Sequence, residues 1–262
     1  MRWIRVNDYD AMSEFGARRL FERIDRAARA GRGAAVGLAT GNTMLRLYAR
    51  LAERLNAART PLAGLRTFNL DEYVGADERA VPLDHPLSYR AYMAANLFAR
   101  LDPALGFRPD HAHFPDAADP ARYDADIRAA GGLDLQLLGI GFNGHIAFNE
   151  PIRETLLGAE AYARLPSRLV DLEPLTLKTN ARLTAGDDLR RVPRRAATMG
   201  MAPILAAREI LLLACFAEQA APLNALRTGR ITPELPASFL LRHRHAAVVY
   251  TADTLPLPDP AP

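Results

Sequence analysis

This 262-residue chain has little cysteine, few aromatic residues and no long apolar run. Its single cysteine, Cys215, excludes a disulfide within the chain, and its apolar surroundings at residues 210–215 predict a small buried hydrophobe. No apolar run approaches the ~20 residues that cross a bilayer. The first five residues also lack the apolar stretch of a signal peptide. We therefore expect a cytoplasmic protein with no membrane partner.

The charge of the chain is only moderately positive, with a net value of +3 and an isoelectric point near 9.2. The arginines are spread along predicted helix faces and are not clustered with aromatic residues, which disfavours nucleic acid as a partner. A positive chain can still attract an anionic small substrate. His111 and His113 have the spacing of metal ligands but no recognisable third ligand, so we predict no metal site.

Predicted strands and amphipathic helices alternate along the chain. This alternation predicts an α/β fold in which a mostly parallel sheet carries helices on both faces. We expect one domain over residues 1–254 and a disordered, proline-rich tail over residues 255–262. Strands are predicted near residues 34–38, 66–70, 133–138, 196–199, 209–213 and 246–250, and helices near 12–28, 44–55, 86–100, 121–130 and 218–227.

The stretch 139–151 carries a histidine and a carboxylate five residues apart, His145 and Glu150, directly after a predicted buried strand. Open α/β sheets bind ligands at the carboxyl ends of their strands. A histidine there can carry a proton between two oxygens, and a neighbouring glutamate can fix its tautomer. A single histidine is more often structural, but two neighbouring motifs favour a catalytic one.

Two further strand ends carry polar residues. Thr40, Gly41, Asn42 and Thr43 lie between a strand and a helix, where backbone N–H groups and hydroxyls can bind an anion. The alternative is an ordinary turn with Thr43 as the helix N-cap. Asp71 and Glu72 follow another strand and could supply a base that removes a proton next to a carbonyl or imine; the alternative is a solvated loop pair.

Together these motifs resemble the glucosamine-6-phosphate deaminase (isomerising) family, within the wider group that also contains 6-phosphogluconolactonases. The resemblance extends from the amino terminus to about Tyr250 and is most specific at residues 148–151. It implies a modified doubly wound, Rossmann-like sheet. The matching segments are residues 37–43, 67–75, 85–89, 139–151, 180–182 and 198–200.

The resemblance also implies an activity in amino-sugar catabolism. Such enzymes convert an amino-sugar phosphate and water into a ketose phosphate and ammonia, without a metal or organic cofactor. Carried onto this chain, the resemblance makes Asp71 the base that moves the C2 proton towards C1. His145 would open the sugar ring while Glu150 holds the imidazole, and Asn143 would orient a partner, since an amide does not titrate in this range.

The resemblance assigns the substrate phosphate to residues 40–43 and Arg182. Gln219 stands where the family usually has a lysine, so we expect it to offer the phosphate an amide N–H instead of a positive charge. This difference leaves open whether the substrate is glucosamine 6-phosphate or a close analogue. The sequence is equally compatible with a monomer and a homo-oligomer.

Two other functions remain open at this point. In a 6-phosphogluconolactonase-type hydrolase, His145 would activate water. In a non-catalytic sugar-phosphate sensor, the same fold would serve as an effector domain. The sensor is disfavoured because the chain shows no DNA-binding helix-turn-helix and keeps Asp71, His145 and Glu150 together.

Overall fold

The computed structural model describes residues 1–257 as a large sheet, a small sheet and their surrounding helices. Its strands are β1 (Arg2–Val6), β2 (Ala34–Leu38), β3 (Leu65–Asn69), β4 (Asp71–Val74), β5 (Ala112–His113), β6 (Leu135–Leu138), β7 (Arg168–Asp171), β8 (Arg195–Thr198), β9 (Ile210–Ala214) and β10 (Ala246–Thr251). Its α-helices are α1 (Tyr9–Arg29), α2 (Leu45–Ala57), α3 (Tyr89–Asn96), α4 (Pro120–Ala129), α5 (Ala159–Ala163), α6 (Pro174–Thr184), α7 (Met201–Leu205) and α8 (Ala220–Arg227). Short 3₁₀ helices cover Asn42–Met44, Phe98–Arg100, Pro103–Leu105, Pro109–His111, Leu189–Arg191, Ala217–Gln219 and Pro236–Arg242.

The large sheet has seven strands in the order β1-β10-β9-β6-β2-β3-β5, and all of its pairs are parallel. Strands such as β2, β9 and β10 are buried along their whole length, which explains their almost continuous apolar sequences. The predicted α/β fold with a mostly parallel sheet is confirmed. The edge strand β1 was not predicted, because Arg2 and Arg5 interrupt its apolar pattern.

The small sheet is antiparallel and has the order β4-β8-β7. The strand predicted at 196–199 is found here as β8. The prediction that Asp71 and Glu72 lie in a loop is wrong, because they lie in β4. Only Leu70 separates β3 from β4, so the two strands read in the sequence as one segment with a polar end.

The chain enters α2 through the 3₁₀ turn Asn42–Met44, and neither element has a side-chain cap. The alternative interpretation, with Thr43 as an ordinary N-cap, is therefore wrong. Elsewhere capping follows the usual chemistry: Asp8 accepts a hydrogen bond from Ala11 N–H at the start of α1, and Ser88 accepts one from Ala91 N–H at the start of α3.

The predicted disordered tail begins inside the folded part of the molecule. Leu255 and Leu257 have no regular secondary structure but are buried against the main core. The rest of that prediction, residues 258–262, lies outside the described residues. No helix within residues 1–257 has both the length and the apolar character needed to cross a membrane.

Candidate active site

A cavity of about 240 Å³ opens at the carboxyl ends of the adjacent strands β2 and β6. The sheet continues from β2 towards β3 on one side and from β6 towards β9 on the other, so the loops that follow β2 and β6 diverge here. Such a switch point forms the ligand crevice of doubly wound sheets. Eight of the ten predicted site residues line the cavity; they are Thr40, Gly41, Asn42, Thr43, Asp71, Asn143, His145 and Gln219.

The ninth, Glu150, lies behind His145 and holds its ring. His145 Nδ1 is 3.1 Å from Glu150 Oε2, which also accepts a hydrogen bond of 2.8 Å from the Asn143 amide. Because an ionised carboxylate can only accept, Nδ1 carries the proton of this bond, and Nε2 is left for a ligand. Gly141 makes room for the ring, since a Cβ there would lie 2.3 to 2.5 Å from its atoms.

The electrostatics of Glu150 favour its charged form. Burial alone would raise its pKa, but the charge of His145 and hydrogen bonds from His145, Thr176 and Asn143 outweigh burial and hold the pKa at about 2. Glu150 is therefore an anion at neutral pH. It can orient the imidazole and stabilise its protonated form, but it is a poor general acid.

Asp71 faces the same cavity from β4, and its carboxylate oxygen Oδ1 accepts hydrogen bonds from the Thr198 hydroxyl and from Phe148 N–H. Burial raises its pKa to about 7, and the Thr198 hydrogen bond and the charge of His145 only partly oppose this rise. A carboxyl group with this pKa can both take up and release a proton near neutral pH.

Glu72 has a different environment from its neighbour. It is fully buried, and its Oε1 accepts hydrogen bonds of 2.9 Å from the backbone N–H groups of Tyr73 and Tyr89. Its Oε2 accepts from Arg90 through the backbone N–H at 2.9 Å and the side-chain Nε at 3.1 Å. Glu72 thus anchors the start of α3, and the interpretation of Asp71 and Glu72 as a solvated loop pair is wrong.

The segment 147–149 follows His145 in the chain and contacts Asp71. Ala147 has a left-handed backbone (φ 52°), and the next N–H, that of Phe148, is directed at Asp71 and Thr198. The Asn149 amide donates to the carbonyls of Ile146 and Met199, which ties the segment to the end of β8. The most specific motif in the sequence therefore sets the position of Asp71 relative to His145.

The turn after β2 presents backbone donors to the cavity. Gly41 has a φ of 112°, and its carbonyl accepts hydrogen bonds from Met44 N–H and from the Tyr92 hydroxyl at 2.8 Å. Within the described part of the chain, the N–H groups of Gly41, Asn42 and Thr43 have no acceptor. Free N–H groups in such a turn are suited to an anion.

Gln219 lines the cavity, but its amide is already engaged within the protein. Oε1 accepts from the N–H groups of Cys215 (2.8 Å) and Phe216 (2.9 Å), and Nε2 donates to the Ile140 carbonyl at 2.8 Å. At most one amide hydrogen remains for a ligand. This differs from the expectation that Gln219 chiefly serves the phosphate, because its main contacts join two loops around the cavity.

Arg182, the tenth predicted residue, does not line the cavity either. It lies outside, with its guanidinium 5.9 Å from the centre of the Phe142 ring. It forms an exposed ion pair of 2.8 Å with Glu218, next to Gln219 in the chain. A phosphate in the cavity would compete with Glu218 for the Arg182 guanidinium.

Two threonines were missed by sequence reasoning. Thr176 on α6 donates to Glu150 Oε1 at 2.6 Å, and Thr198 on β8 donates to Asp71. Thr198 lies within one of the matching segments, so the resemblance pointed to its region without giving it a role. Thr176 had no signal, because α6 brings it to the site from 26 positions further along the chain.

The two histidines with metal-ligand spacing have structural roles. His111 Nδ1 lies 3.1 Å from the Leu65 carbonyl, and His113 stacks on Phe68 with ring centres 4.6 Å apart. Within residues 1–257, no three side chains of His, Cys, Asp or Glu are grouped so that they could hold a metal ion.

Comparison with known proteins identifies the family. Residues 7–151 match the family described as glucosamine-6-phosphate isomerases/6-phosphogluconolactonase. A glucosamine-6-phosphate deaminase from Rhodopirellula baltica is 42% identical over 254 residues, which cover 95% of this chain and 91% of the relative. This chain belongs to the family of glucosamine-6-phosphate isomerases/6-phosphogluconolactonase. The resemblance predicted from its motifs is thereby confirmed.

Solved structures support the same assignment. A monomeric glucosamine-6-phosphate deaminase matches with a TM-score of 0.84 and 30% identity, covering 97% of this chain and 98% of the other. A 6-phosphogluconolactonase from Thermotoga maritima matches with a TM-score of 0.68 and 20% identity, covering 95% and 98%. The second likeness shows the shared fold alone.

Proposed function

We propose that this chain is an enzyme that catalyses the isomerising deamination of glucosamine 6-phosphate, which with water gives fructose 6-phosphate and ammonia. The observation that carries the proposal is the pair of separate proton-transfer groups in one cavity. Asp71, with its pKa near 7, is one of them, and His145, held by Glu150, is the other. The reaction needs two such groups, because ring opening and isomerisation move protons between different atoms of the sugar.

We assign ring opening to His145. The imidazole takes the proton of the C1 hydroxyl and delivers one to the ring oxygen, so that the C1–O5 bond breaks and an open-chain aldehyde forms. During the transfer the ring is transiently a cation, which the anionic Glu150 at 3.1 Å stabilises. Asn143 holds the same carboxylate oxygen at 2.8 Å and so keeps the histidine's partner in place.

Isomerisation falls to Asp71. Its carboxylate removes the C2 proton of the open-chain sugar, while the substrate's own ammonium group at C2 passes a proton to the C1 carbonyl oxygen, giving an enolamine. The resulting carboxylic acid of Asp71 then returns its proton to C1. The product is an imine at C2, to which water adds before ammonia leaves. A pKa of about 7 suits both halves of this transfer, since the group is neither a very weak base nor a very weak acid near neutral pH.

The phosphate is assigned to the turn formed by residues 40–43. The free N–H groups of Gly41, Asn42 and Thr43 can donate to its oxygens, while Arg182 approaches from the rim. All steps of the reaction transfer protons or add water, so we propose that it needs no metal or organic cofactor. We further propose a cytoplasmic location, where a charged sugar phosphate is retained.

The test measures ammonia release from glucosamine 6-phosphate and, in parallel, hydrolysis of 6-phosphogluconolactone, both with a chelator present. We expect ammonia release, and we expect it to be lost in Asp71→Asn but kept in Asp84→Asn, which changes an exposed carboxylate outside the cavity. Lactone hydrolysis without ammonia release would favour the lactonase. Binding of the sugar phosphate without either reaction would favour the sensor.

A further inference from the structure

A second cavity, of about 540 Å³, lies at the amino ends of β1, β9 and β10. These strands are parallel to β2 and β6, so this cavity is at the opposite end of the large sheet from the candidate active site. We call it the arginine cavity. It is lined by Arg2, Arg19, Arg23, Arg208, Glu209 and His245.

Two of its guanidinium groups are fixed in place by a buried carboxylate. Glu209 has a side chain only 10% exposed, and its two oxygens accept hydrogen bonds from Arg19 and Arg23 of α1. One nitrogen of Arg23 makes this contact, which leaves its other N–H groups for a ligand. Arginine side chains that are already held in place lose less conformational entropy when a ligand binds. This reduces the free-energy cost of binding.

The charge around the arginine cavity remains positive after all ion pairs are considered. Glu22 is shared between Arg18 and Arg19, and Glu209 between Arg19 and Arg23. Arg208 is paired with Asp134 at 2.9 Å. Among the described residues, no carboxylate lies within 4.0 Å of the Arg2 guanidinium, which is exposed at the start of β1.

We propose that the arginine cavity binds a small molecule through a phosphate group. Its volume lies in the range of small-molecule sites, ~300–1,000 Å³. Guanidinium groups match phosphate oxygens in geometry, and an excess of positive charge in a concave site suits an anion of two or more charges. The proposal is independent of the reaction assigned to the other end of the sheet, because it uses none of the residues of that site.

Inorganic pyrophosphate is the probe, and isothermal titration calorimetry is the measurement. Arg2→Ala removes the unpaired arginine without breaking an ion pair, and we expect it to weaken pyrophosphate binding at this site about tenfold. Arg5→Ala is the matched control: Arg5 is also exposed on β1 but does not line the cavity. We expect Arg5→Ala to leave the affinity unchanged and Arg2→Ala to leave turnover of glucosamine 6-phosphate unchanged.

Several outcomes would overturn the proposal. An equal loss of affinity in Arg2→Ala and Arg5→Ala would reflect net charge and not a site. Unchanged pyrophosphate binding in Arg2→Ala, with pyrophosphate acting only as a competitive inhibitor of turnover, would place the ion in the catalytic cavity. Binding of citrate in preference to pyrophosphate would assign the cavity to a carboxylate ligand.

Discussion

The hydroxyl of Thr176 lies 2.6 Å from Glu150 Oε1, while the other oxygen of the same carboxylate lies 3.1 Å from His145 Nδ1. Both oxygens of Glu150 therefore accept hydrogen bonds, one from a helix and one from the histidine. Thr176 does not need to touch the sugar to affect the reaction, because it positions the group that positions His145.

Thr176→Val keeps the shape of the side chain and removes its hydrogen-bond donor. The pKa of Glu150, now about 2, should rise because one of the contacts that lowers it is lost. A hydrogen bond to a charged group contributes about 1.5–3 kcal/mol, so kcat should fall about tenfold or more. Because Asp71 sets the acidic limb of the rate profile near pH 7, the change at Glu150 is measured directly, as a higher midpoint in a carboxyl NMR titration of Glu150.

Thr176→Ser is the control for this change, since it restores the hydroxyl. It should recover most of kcat and the original midpoint of the Glu150 titration. A valine variant with an unaltered Glu150 titration but lower thermal stability would assign Thr176 to packing alone.

Asp71→Asn should remove the base while keeping an oxygen that can accept from Thr198. We expect turnover to fall by ~10²–10⁴, and exchange of the substrate C2 proton with solvent deuterium to stop. In the unaltered enzyme the rate should rise with pH through about 7, as Asp71 ionises. Exchange at the normal rate in the asparagine variant would exclude Asp71 as the base.

The same residue should make stability depend on pH. The pKa of Asp71 is raised to about 7 in the fold, against about 3.9 for an unfolded chain, so the folded state binds more protons between these values. Its stabilising contribution is complete below pH ~4 and is lost as pH rises through about 7. The full difference is on the order of 4 kcal/mol.

Asp71→Asn should cancel this loss, because an amide does not ionise. Urea unfolding should show the variant gaining stability relative to the unaltered enzyme between pH 4.5 and pH 8. Asp84→Asn, at an exposed site, should show no such change with pH. If Asp71→Asn and the unaltered enzyme differ in their free energy of unfolding by the same amount at both pH values, the raised pKa of Asp71 is contradicted.

Arg182 and Glu218 provide a test of the phosphate assignment. Their 2.8 Å ion pair competes with a phosphate for the Arg182 guanidinium, and Glu218 also adds negative charge near the rim. Glu218→Gln should therefore lower the Michaelis constant for glucosamine 6-phosphate, by a few-fold because the pair is exposed. Arg182→Ala should raise it. Steady-state kinetics on both variants check the assignment. We expect kcat to change little.

Much of the fold could be predicted from local patterns in the sequence. Buried strands such as β2, β9 and β10 are nearly continuous apolar runs, and long helices such as α1 show a clear apolar stripe. The short antiparallel sheet could be predicted only in part: β8 was predicted as a strand, but β4 and β7, with four residues each, were not. Four residues are too few for an alternation to stand out when one of the faces is only partly apolar.

Some features of the candidate site could likewise be predicted from the sequence, and others could not. Asp71, His145 and Glu150 could be predicted, since their residue types and their places at strand ends both indicate proton transfer. The internal bonds of Gln219 could not, because they depend on which loop carbonyl and which N–H groups surround it in three dimensions. Thr176 could not be predicted either, because a threonine in a helix has no distinctive sequence pattern.

The four-residue strand β4 has a consequence for how this site can be altered by insertion or deletion. Successive side chains of a strand point to opposite faces, so one carboxylate of the Asp71–Glu72 pair serves the cavity and the other serves α3. A slip of β4 by a single residue against β8 would exchange these two environments. It would aim a longer carboxylate at the sugar and withdraw the acceptor from the first N–H groups of α3. Length changes in the linker at Leu70 should therefore be far less tolerated than substitutions there, even though both leave every proposed catalytic residue in the sequence.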